Sequence, residues 1–511
     1  MKTAQVLAAI AQRFPEREAL VCGETRITYR AFAQRVDRIA AALVARGVRD
    51  GERVGLLLEN GTTWIEAFVA IVATGAIAVP ISTRLSPAEV TFVVGDAQPC
   101  ALVFGESHRG HVAHALAGTE IFALDAAAIE MIAADDAIVA PQPPLGPMPD
   151  DCMIMYTSGT SGTPKGAIVT HANLLLFGFV SAAEWGLTDA DRFLVTTAFA
   201  HRTAVARFYN ALTLGATLVI LDRFDPAVAL ETIARERVTV AGIVPTIARM
   251  LLARIESGDR RCETLRTIVA TGEAFPVELK ERLFAALPGV ALYSFLAMTE
   301  AGGIGTLRPQ EQIAHAGSVG RPSLGVEVRL VDDDGAEVGA GEVGEITVRS
   351  GEPGRFLTMR GYYNRPEETA AALRGGWMHT GDLGRFDDEG YLYVVDRKKD
   401  MILSGGLNVY SKEVERALLS HPAVADAAVV GMPDPVFGEA VLAFVELVDG
   451  LAASEAELID HCRERIASYK KPKKIVFGEA LPRNAQGKIL KRLLREGILC
   501  HPELVEGADQ A

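Results

Sequence analysis

The stretch Tyr156-Thr-Ser-Gly-Thr-Ser-Gly-Thr-Pro-Lys-Gly166 decides how the rest of this chain is read. It packs glycines and small hydroxyl residues into one short loop and ends in a lysine. Glycine reaches positive φ without strain, so Gly159 and Gly162 let backbone amides turn toward a ligand. The hydroxyls of Thr157, Ser158, Thr160, Ser161 and Thr163 add donors, and Lys165 adds a charge. Such a nest suits a polyphosphate. The run before it, Cys152-Met-Ile-Met-Tyr156, reads as a buried strand, so the loop sits at a strand end, where open α/β sheets take ligands. A Walker A loop would follow Gly-Lys with Ser or Thr; here Pro164 precedes Lys165 and Gly166 follows it. A plain Ser/Thr/Gly linker is the other reading, and a Pro-Lys-Gly ending between two apolar runs argues against it.

Around this loop lies a chain of 511 residues, 49% of them hydrophobic, too long for one ordinary core. A formal net charge of −14 disfavours a nucleic-acid or anionic-membrane binder. The six cysteines, Cys22, Cys100, Cys152, Cys262, Cys462 and Cys500, have neither pairing nor metal-ligand spacing, a pattern that fits reduced thiols in a cytoplasm. Residues 1–17 read as an amphipathic helix rather than a signal peptide. No uninterrupted apolar run is long enough to span a bilayer.

From about residue 19 to 140, strands (54–58, 76–80) alternate with helical stretches (63–74, 87–95). The rhythm resumes after the loop, with a helix opening at His171, strands at 217–221, 238–244 and 267–270, and a helix at 226–235. Such alternation predicts βαβ units and two similar doubly wound sheets. Between about 315 and 395 strands become short (326–331, 344–348, 391–395) and glycines frequent, which suggests a small antiparallel sheet or barrel. The charged break Asp396-Arg-Lys-Lys-Asp400 follows, and then a compact α+β pattern whose clearest sign is the capping box Ser454-Glu-Ala-Glu457. Residues 501–511 read as a loose tail.

Several segments, in order along nearly the whole chain, resemble the motifs of the adenylate-forming superfamily of acyl-CoA synthetases, amino-acid adenylation domains and beetle luciferases. The loop at 156–166 resembles its phosphate loop. Met298-Thr-Glu300 resembles the second ATP motif, which implies Thr299 at the α-phosphate and Glu300, with Thr157, at magnesium; a bare Thr-Glu pair is otherwise a common helix start. Trp377-Met-His-Thr-Gly-Asp382 resembles the Thr-Gly-Asp motif, implying Asp382 on the ribose hydroxyls with Arg397 beside them. Lys399 falls at the hinge position. Gly272-Glu273-Ala274 falls where the family lines the adenine. Ser404-Gly405-Gly406-Leu-Asn408 resembles the turn that lines the CoA tunnel, or is simply a tight turn. Pro482-Arg-Asn-Ala-Gln-Gly-Lys488 resembles the final loop, whose lysine is the main catalytic residue. The basic run Tyr469-Lys-Lys-Pro-Lys-Lys474 is expected to be a solvated turn.

Thr197-Ala-Phe-Ala-His201 matches the segment carrying the acyl-pocket gate, which His201 would occupy. The pocket should also draw on Ala206, Phe208 and the Val244-Pro-Thr246 turn. No Asp stands at 199–207 to hold a substrate ammonium, which lowers the amino-acid reading. Three departures stand out: Leu296 replaces the adenine-stacking aromatic, Arg202-Thr-Ala204 replaces the glycine after the gate, and Leu407 replaces an acidic residue. Arg202 and Arg207 are expected to face solvent, with binding of a second carboxylate as the alternative.

The resemblance implies an α/β enzyme with a large N-terminal domain of two doubly wound sheets and a barrel-like subdomain at 1–396. A mobile α+β C-terminal domain follows at 397–500. The implied activity is an AMP-forming ligase that activates a fatty or aryl acid with MgATP and passes it to CoA. The implied partners are that acid, ATP, Mg²⁺ and CoA, in the cytoplasm, without nucleic acid or an integral membrane segment; a homodimer is left open. Delivery to a carrier-protein thiol, a luciferase-like oxidation of the adenylate and a catalytically dead ATP- or acyl-binding protein are the alternatives.

Overall fold

In the computed structural model the described residues are 1–138, 150–157, 164–259, 261–272, 275–478, 480–483 and 489–500, the last three by backbone alone. Ser158, Gly159, Thr160, Ser161, Gly162, Thr163, Glu273, Ala274, Lys488 and the tail lie outside them. The chain forms two compact units. The larger comprises Met1–Arg329, Thr347–Thr380 and Glu389–Leu392; the smaller comprises Leu330–Ile346, Gly381–Asp388 and the chain from Tyr393 onward.

Two large sheets build the larger unit. One has seven strands in the order Gly361–Tyr362, Lys165–Thr170, Asp151–Thr157, Ile77–Pro80, Arg53–Leu57, Ala101–Phe104 and Phe122–Asp125. Its interior pairs are parallel, and Lys165–Thr170 and Gly361–Tyr362 add antiparallel edge strands. The other has nine strands in the order Arg321–Pro322, Gly302–Leu307, Ala291–Met298, Thr267–Ala270, Val240–Ile243, Arg192–Val195, Thr217–Ile220, Glu18–Cys22 and Thr25–Thr28. Its central strands are short, buried but for Arg192, and rich in Val, Ile and Leu, as parallel strands covered on both faces must be.

The two sheets do not divide at the loop as the rhythm of the sequence suggested. Glu18–Cys22 and Thr25–Thr28 cross to the second sheet, where Leu20 pairs with Leu218. The first sheet in turn takes Gly361–Tyr362. The N-terminal amphipathic helix is Thr3–Arg13. Its Thr3 hydroxyl contacts both the Tyr209 hydroxyl (2.6 Å) and His171 Nδ1 (2.8 Å) in the core. Burial holds that imidazole down to about 3, so it is neutral.

The change of texture after residue 315 corresponds to a four-stranded sheet in the order Glu327–Val331, Gly344–Arg349, Met378–Phe386 and Leu392–Arg397. In the smaller unit, Val424–Asp434 and Gly438–Leu447 form a long antiparallel pair, extended by Ile402–Ser404, Leu407–Val409 and a parallel Lys474–Phe477. Side chains alternate across a strand. Ala427 and Val429 accordingly face one core with Val414, Leu418 and Leu458, while Ala428 and Val430 face another with Leu481 and Leu494. The Ser454 capping box is present: Ser454 Oγ accepts from Glu457 N at 3.2 Å and opens Glu455–Arg463. Among the described residues no helix is long and apolar enough to cross a membrane.

Candidate active site

Two hairpins converge in the larger unit. The first joins Asp151–Thr157 to Lys165–Thr170 and carries the loop between Thr157 and Lys165, which are paired across it. The strand pairing is tight at its mouth. Tyr156 lies opposite Gly166, where a Cβ would come within 2.5 Å of Ile154 Cγ2 and 3.3 Å of the Tyr156 ring. The Tyr156 hydroxyl donates to Asp96 Oδ2 (2.7 Å), and Asp96 Oδ1 pairs with Arg365 (2.6 Å). Gly166 O accepts from Tyr363 N at 2.8 Å, so the base of the loop is anchored on both strands.

The second hairpin joins Ala291–Met298 to Gly302–Leu307. Thr299 and Glu300 occupy its tip, so the Thr-Glu pair belongs to a turn between strands and not to a helix start. The Thr157 hydroxyl donates to Glu300 Oε1 at 2.9 Å, and the Tyr362 hydroxyl reaches the same oxygen at 3.4 Å. Lys165 Nζ lies 5.4 Å from the centre of the Tyr362 ring. Burial first, and then the Glu300 charge, push the Tyr362 phenol well up, so it stays a donor. Glu300 is only 7% exposed, and Oε2 takes no hydrogen bond among the described residues. A carboxylate oxygen with spare capacity beside a donor-rich loop fits a hard cation shared with phosphate oxygens. Tyr362 was not singled out from the sequence. Its only local signal is the aromatic pair after Gly361, because the edge strand Gly361–Tyr362 brings it in from 62 residues beyond Glu300.

Arg202 and Arg207 correct the expectation that both face solvent. Arg202 donates from Nη1 to the Thr299 and Met298 carbonyls and from Nη2 to the Leu357 carbonyl. It therefore positions the turn that presents Glu300. Burial lowers its pKa to about 10, against the pull of Glu300. Arg207 is 2% exposed and lies over the Trp185 ring, 4.8 Å from its centre.

His201 sits at the N-cap of the helix Arg202–Leu214. Phe208, expected in the pocket, packs instead in the core among Phe32, Phe68 and Tyr209, with ring centres 5.3–6.5 Å apart. Pro245 opens the helix Pro245–Glu256. Leu296 is half-buried opposite Gly305, and its neighbour Phe295 points the other way onto Trp185, 5.1 Å between ring centres. Gly272 has φ +95°, a conformation that excludes most other residues at the entry to 273–274.

The smaller unit holds the remaining candidates. Asp382 and Arg397 face each other across 3.8 Å. Asp396, fully buried, accepts at Oδ1 from Arg397 N (2.8 Å) and Ser411 Oγ (3.1 Å), which fixes the strand end carrying Arg397. Ser411 Oγ also accepts from Lys491 Nζ (2.7 Å), whose other partner is Glu415. Lys399 is exposed in a short 3-10 turn, Lys398–Asp400, between the anchored Asp396 and the pair Asp400–Arg495 at 2.7 Å. Gly405 and Gly406, with φ +58° and +79°, make the tight turn between Ile402–Ser404 and Leu407–Val409. A Cβ on Gly405 would lie 3.1 Å from the Phe437 ring.

Comparison with known proteins identifies the family. Residues 7–363 match the AMP-binding enzyme family and residues 413–488 the AMP-binding enzyme C-terminal domain. A feruloyl-CoA synthase of Amycolatopsis sp is 38% identical over 95% of this chain and 96% of its own length. A long-chain-fatty-acid–CoA ligase of Mycobacterium tuberculosis is 35% identical over 93% of each. The O-succinylbenzoate coenzyme A synthetase of Bacillus subtilis, solved with ATP and a magnesium ion, superposes with a TM-score of 0.85 at 33% identity, over 96% of this chain and 98% of that one. The chain belongs to the AMP-binding enzyme family.

Proposed function

We propose that the protein is an AMP-forming acid–CoA ligase acting on a fatty or aryl carboxylic acid. One observation carries the reading: the mouth of a donor-rich loop, at Thr157, is hydrogen-bonded to the single carboxylate of Glu300, with Lys165 alongside. On this reading the loop is the cradle for phosphates and Glu300 the ligand for their metal. The relatives named above, all acid–CoA ligases, support the same activity.

In the first half-reaction the acid's carboxylate oxygen bonds to the α-phosphorus of ATP, the α–β P–O bond breaks and pyrophosphate leaves. In this proposal the loop from Thr157 to Lys165 holds the β- and γ-phosphates, and Thr299 faces the α-phosphate. Glu300, with Thr157, would hold Mg²⁺, which neutralises phosphate charge. Gly272, Glu273, Ala274 and Leu296 line the adenine, while Asp382 and Arg397 take the ribose. His201 orients the acid. Lys488 spreads the negative charge that develops between carboxylate and phosphate, a task suited to a flexible ammonium.

In the second half-reaction the CoA thiolate attacks the acyl carbon and AMP leaves. The C-terminal domain, 397–500, turns about Lys399 between the two steps and brings in Gly405 and Gly406. We place the reaction in the cytoplasm, in keeping with cysteines that show no pairing pattern. Pyrophosphate release measured over fatty acids, benzoates, phenylpropenoates and dicarboxylates, with and without CoA, tests the reading. CoA-dependent turnover with thioester formation is expected. Release without any thioester would instead favour a carrier-protein acceptor.

A further inference from the structure

Arg207 leaves the helix Arg202–Leu214 into the core, and its Nε, Nη1 and Nη2 are all buried without a hydrogen-bond partner among the described residues. The indole nitrogen of Trp185, whose ring lies beneath the guanidinium, is buried and unpartnered as well. No carboxylate among the described residues pairs with Arg207, and burial alone draws its pKa down to about 9. The side chain nevertheless has a made berth. Gly242, in the strand Val240–Ile243, lies under its stem, where a Cβ would stand 3.0 Å from Arg207 Cδ.

An uncompensated buried charge is strongly destabilising. A purely structural arginine would pair with an acid or extend its head to water. Donors left open in a core call for an ordered water, an ion or a ligand, and breaches of this kind are expected at functional sites. Position points to which ligand. Arg202, on the same helix, holds the Thr299 carbonyl next to Glu300. Arg207 lies five residues further on, about 7.5 Å along the helix axis, and the residue that caps this same helix is His201, which the proposed function places at the acid.

Resting on the proposed ligase activity, we infer that Arg207 is a specificity-determining residue that receives an acceptor oxygen at the far end of the acid. That oxygen is either a second carboxylate, matched by the guanidinium fork, or the oxygen of a hydroxyaryl ring. A simple fatty acid would leave Arg207 as it is now, with no partner.

The test uses the full-length enzyme with two pairs of acids, 4-hydroxycinnamate against cinnamate and suberate against octanoate. Thioester formation is followed for wild type, Arg207→Met and Arg207→Lys. Wild type is expected to favour the oxygenated member of one pair by about 100-fold or more in kcat/KM, as sites built to bond a substrate oxygen do. Arg207→Met brings that ratio close to one, and Arg207→Lys, which keeps the charge without the fork, gives an intermediate ratio. The pair that responds distinguishes carboxylate from hydroxyaryl. Equal use of both members by wild type, or an equal fall for both in Arg207→Met, overturns the inference. Calorimetric titration with the same acids gives a readout independent of turnover. Selective binding lost in Arg207→Met, without turnover, would uphold the inference and contradict the ligase reading; no selective binding would overturn the inference.

Discussion

The turn around Glu300 and the berth of Arg207 lie along one helix and are finished differently. At the turn, Glu300 receives Thr157 and Tyr362, and Arg202 is matched to backbone carbonyls. At the berth, a guanidinium and an indole offer donors that nothing among the described residues accepts. The first region is organised before any ligand arrives, as groups that act on developing charge need to be. The second is left incomplete, as groups that discriminate between ligands can be. Changes at the turn should therefore impair every acid alike, and changes at the berth should separate one acid from another.

The largest effect is expected where charge develops. Lys488→Ala should slow acyl-adenylate formation by about 1000-fold for every acid, of the order of a lost oxyanion donor. It should still convert supplied acyl-adenylate and CoA to thioester. Stopped-flow assays of the two half-reactions check this, and equal loss of both would break the division between them. Glu300→Gln keeps the shape but removes the charge. It should lower kcat about 100-fold with any acid and raise the Mg²⁺ concentration needed for half-maximal rate. An acid-dependent effect would blur the contrast with Arg207.

Arg202→Met should cost about tenfold in kcat/KM, uniformly across acids, and lower Tm by several degrees because it strands carbonyls in a buried turn. Arg207→Met should not lower Tm in the ligand-free enzyme, since it removes an unpaired charge. Differential scanning fluorimetry on the two variants is a direct comparison. Tyr362→Phe removes the longer of the two hydroxyl contacts to Glu300, and should change KM for MgATP only about threefold.

A last effect, on stability and not on turnover, concerns the buried carboxylate of Glu236. Glu236, 3% exposed at its side chain, is held down to about 2, first by its hydrogen bonds to Arg26 and then by Arg235 and Arg192. Its folded value is depressed below the ordinary 4.5, so its contribution is full above pH 4.5 and fades as pH falls toward 2. Glu236→Gln should lose about 2 kcal/mol at pH 7, allowing for the exposed arginines. Denaturation curves at pH 7 and pH 4 should show the gap between variant and wild type beginning to narrow.

Sequence revealed the turn region better than the berth, and the reason is distance along the chain. The donor loop is contiguous, its flanking strand is an unbroken apolar run, and Glu300 follows a strand of the same kind. Local chemistry was enough to pick them out. The alternation of strands and helices likewise announced the parallel sheets, and Ser454 with Glu457 announced their helix. What local patterns could not carry is which strands meet. The joining of residues 18–28 to 217–220, and the arrival of Tyr362 at Glu300, depend on edge pairings far apart in sequence. Arg207 is the sharpest case: an arginine on a helix reads as a surface group, and its burial depends on Trp185 from one helix end and Gly242 from a strand. Phe208, an apolar residue expected in the pocket, is sent by the turn of the helix into the aromatic core instead.

The central claim is that this chain activates an acid as its adenylate before CoA takes part. Acid-dependent exchange of labelled pyrophosphate into ATP, measured without CoA, tests it most directly. The account predicts exchange that requires both the acid and Mg²⁺ and is abolished in Lys488→Ala, with AMP and a CoA thioester appearing once CoA is added. Absence of exchange with every acid, or formation of ADP in place of AMP, would contradict it.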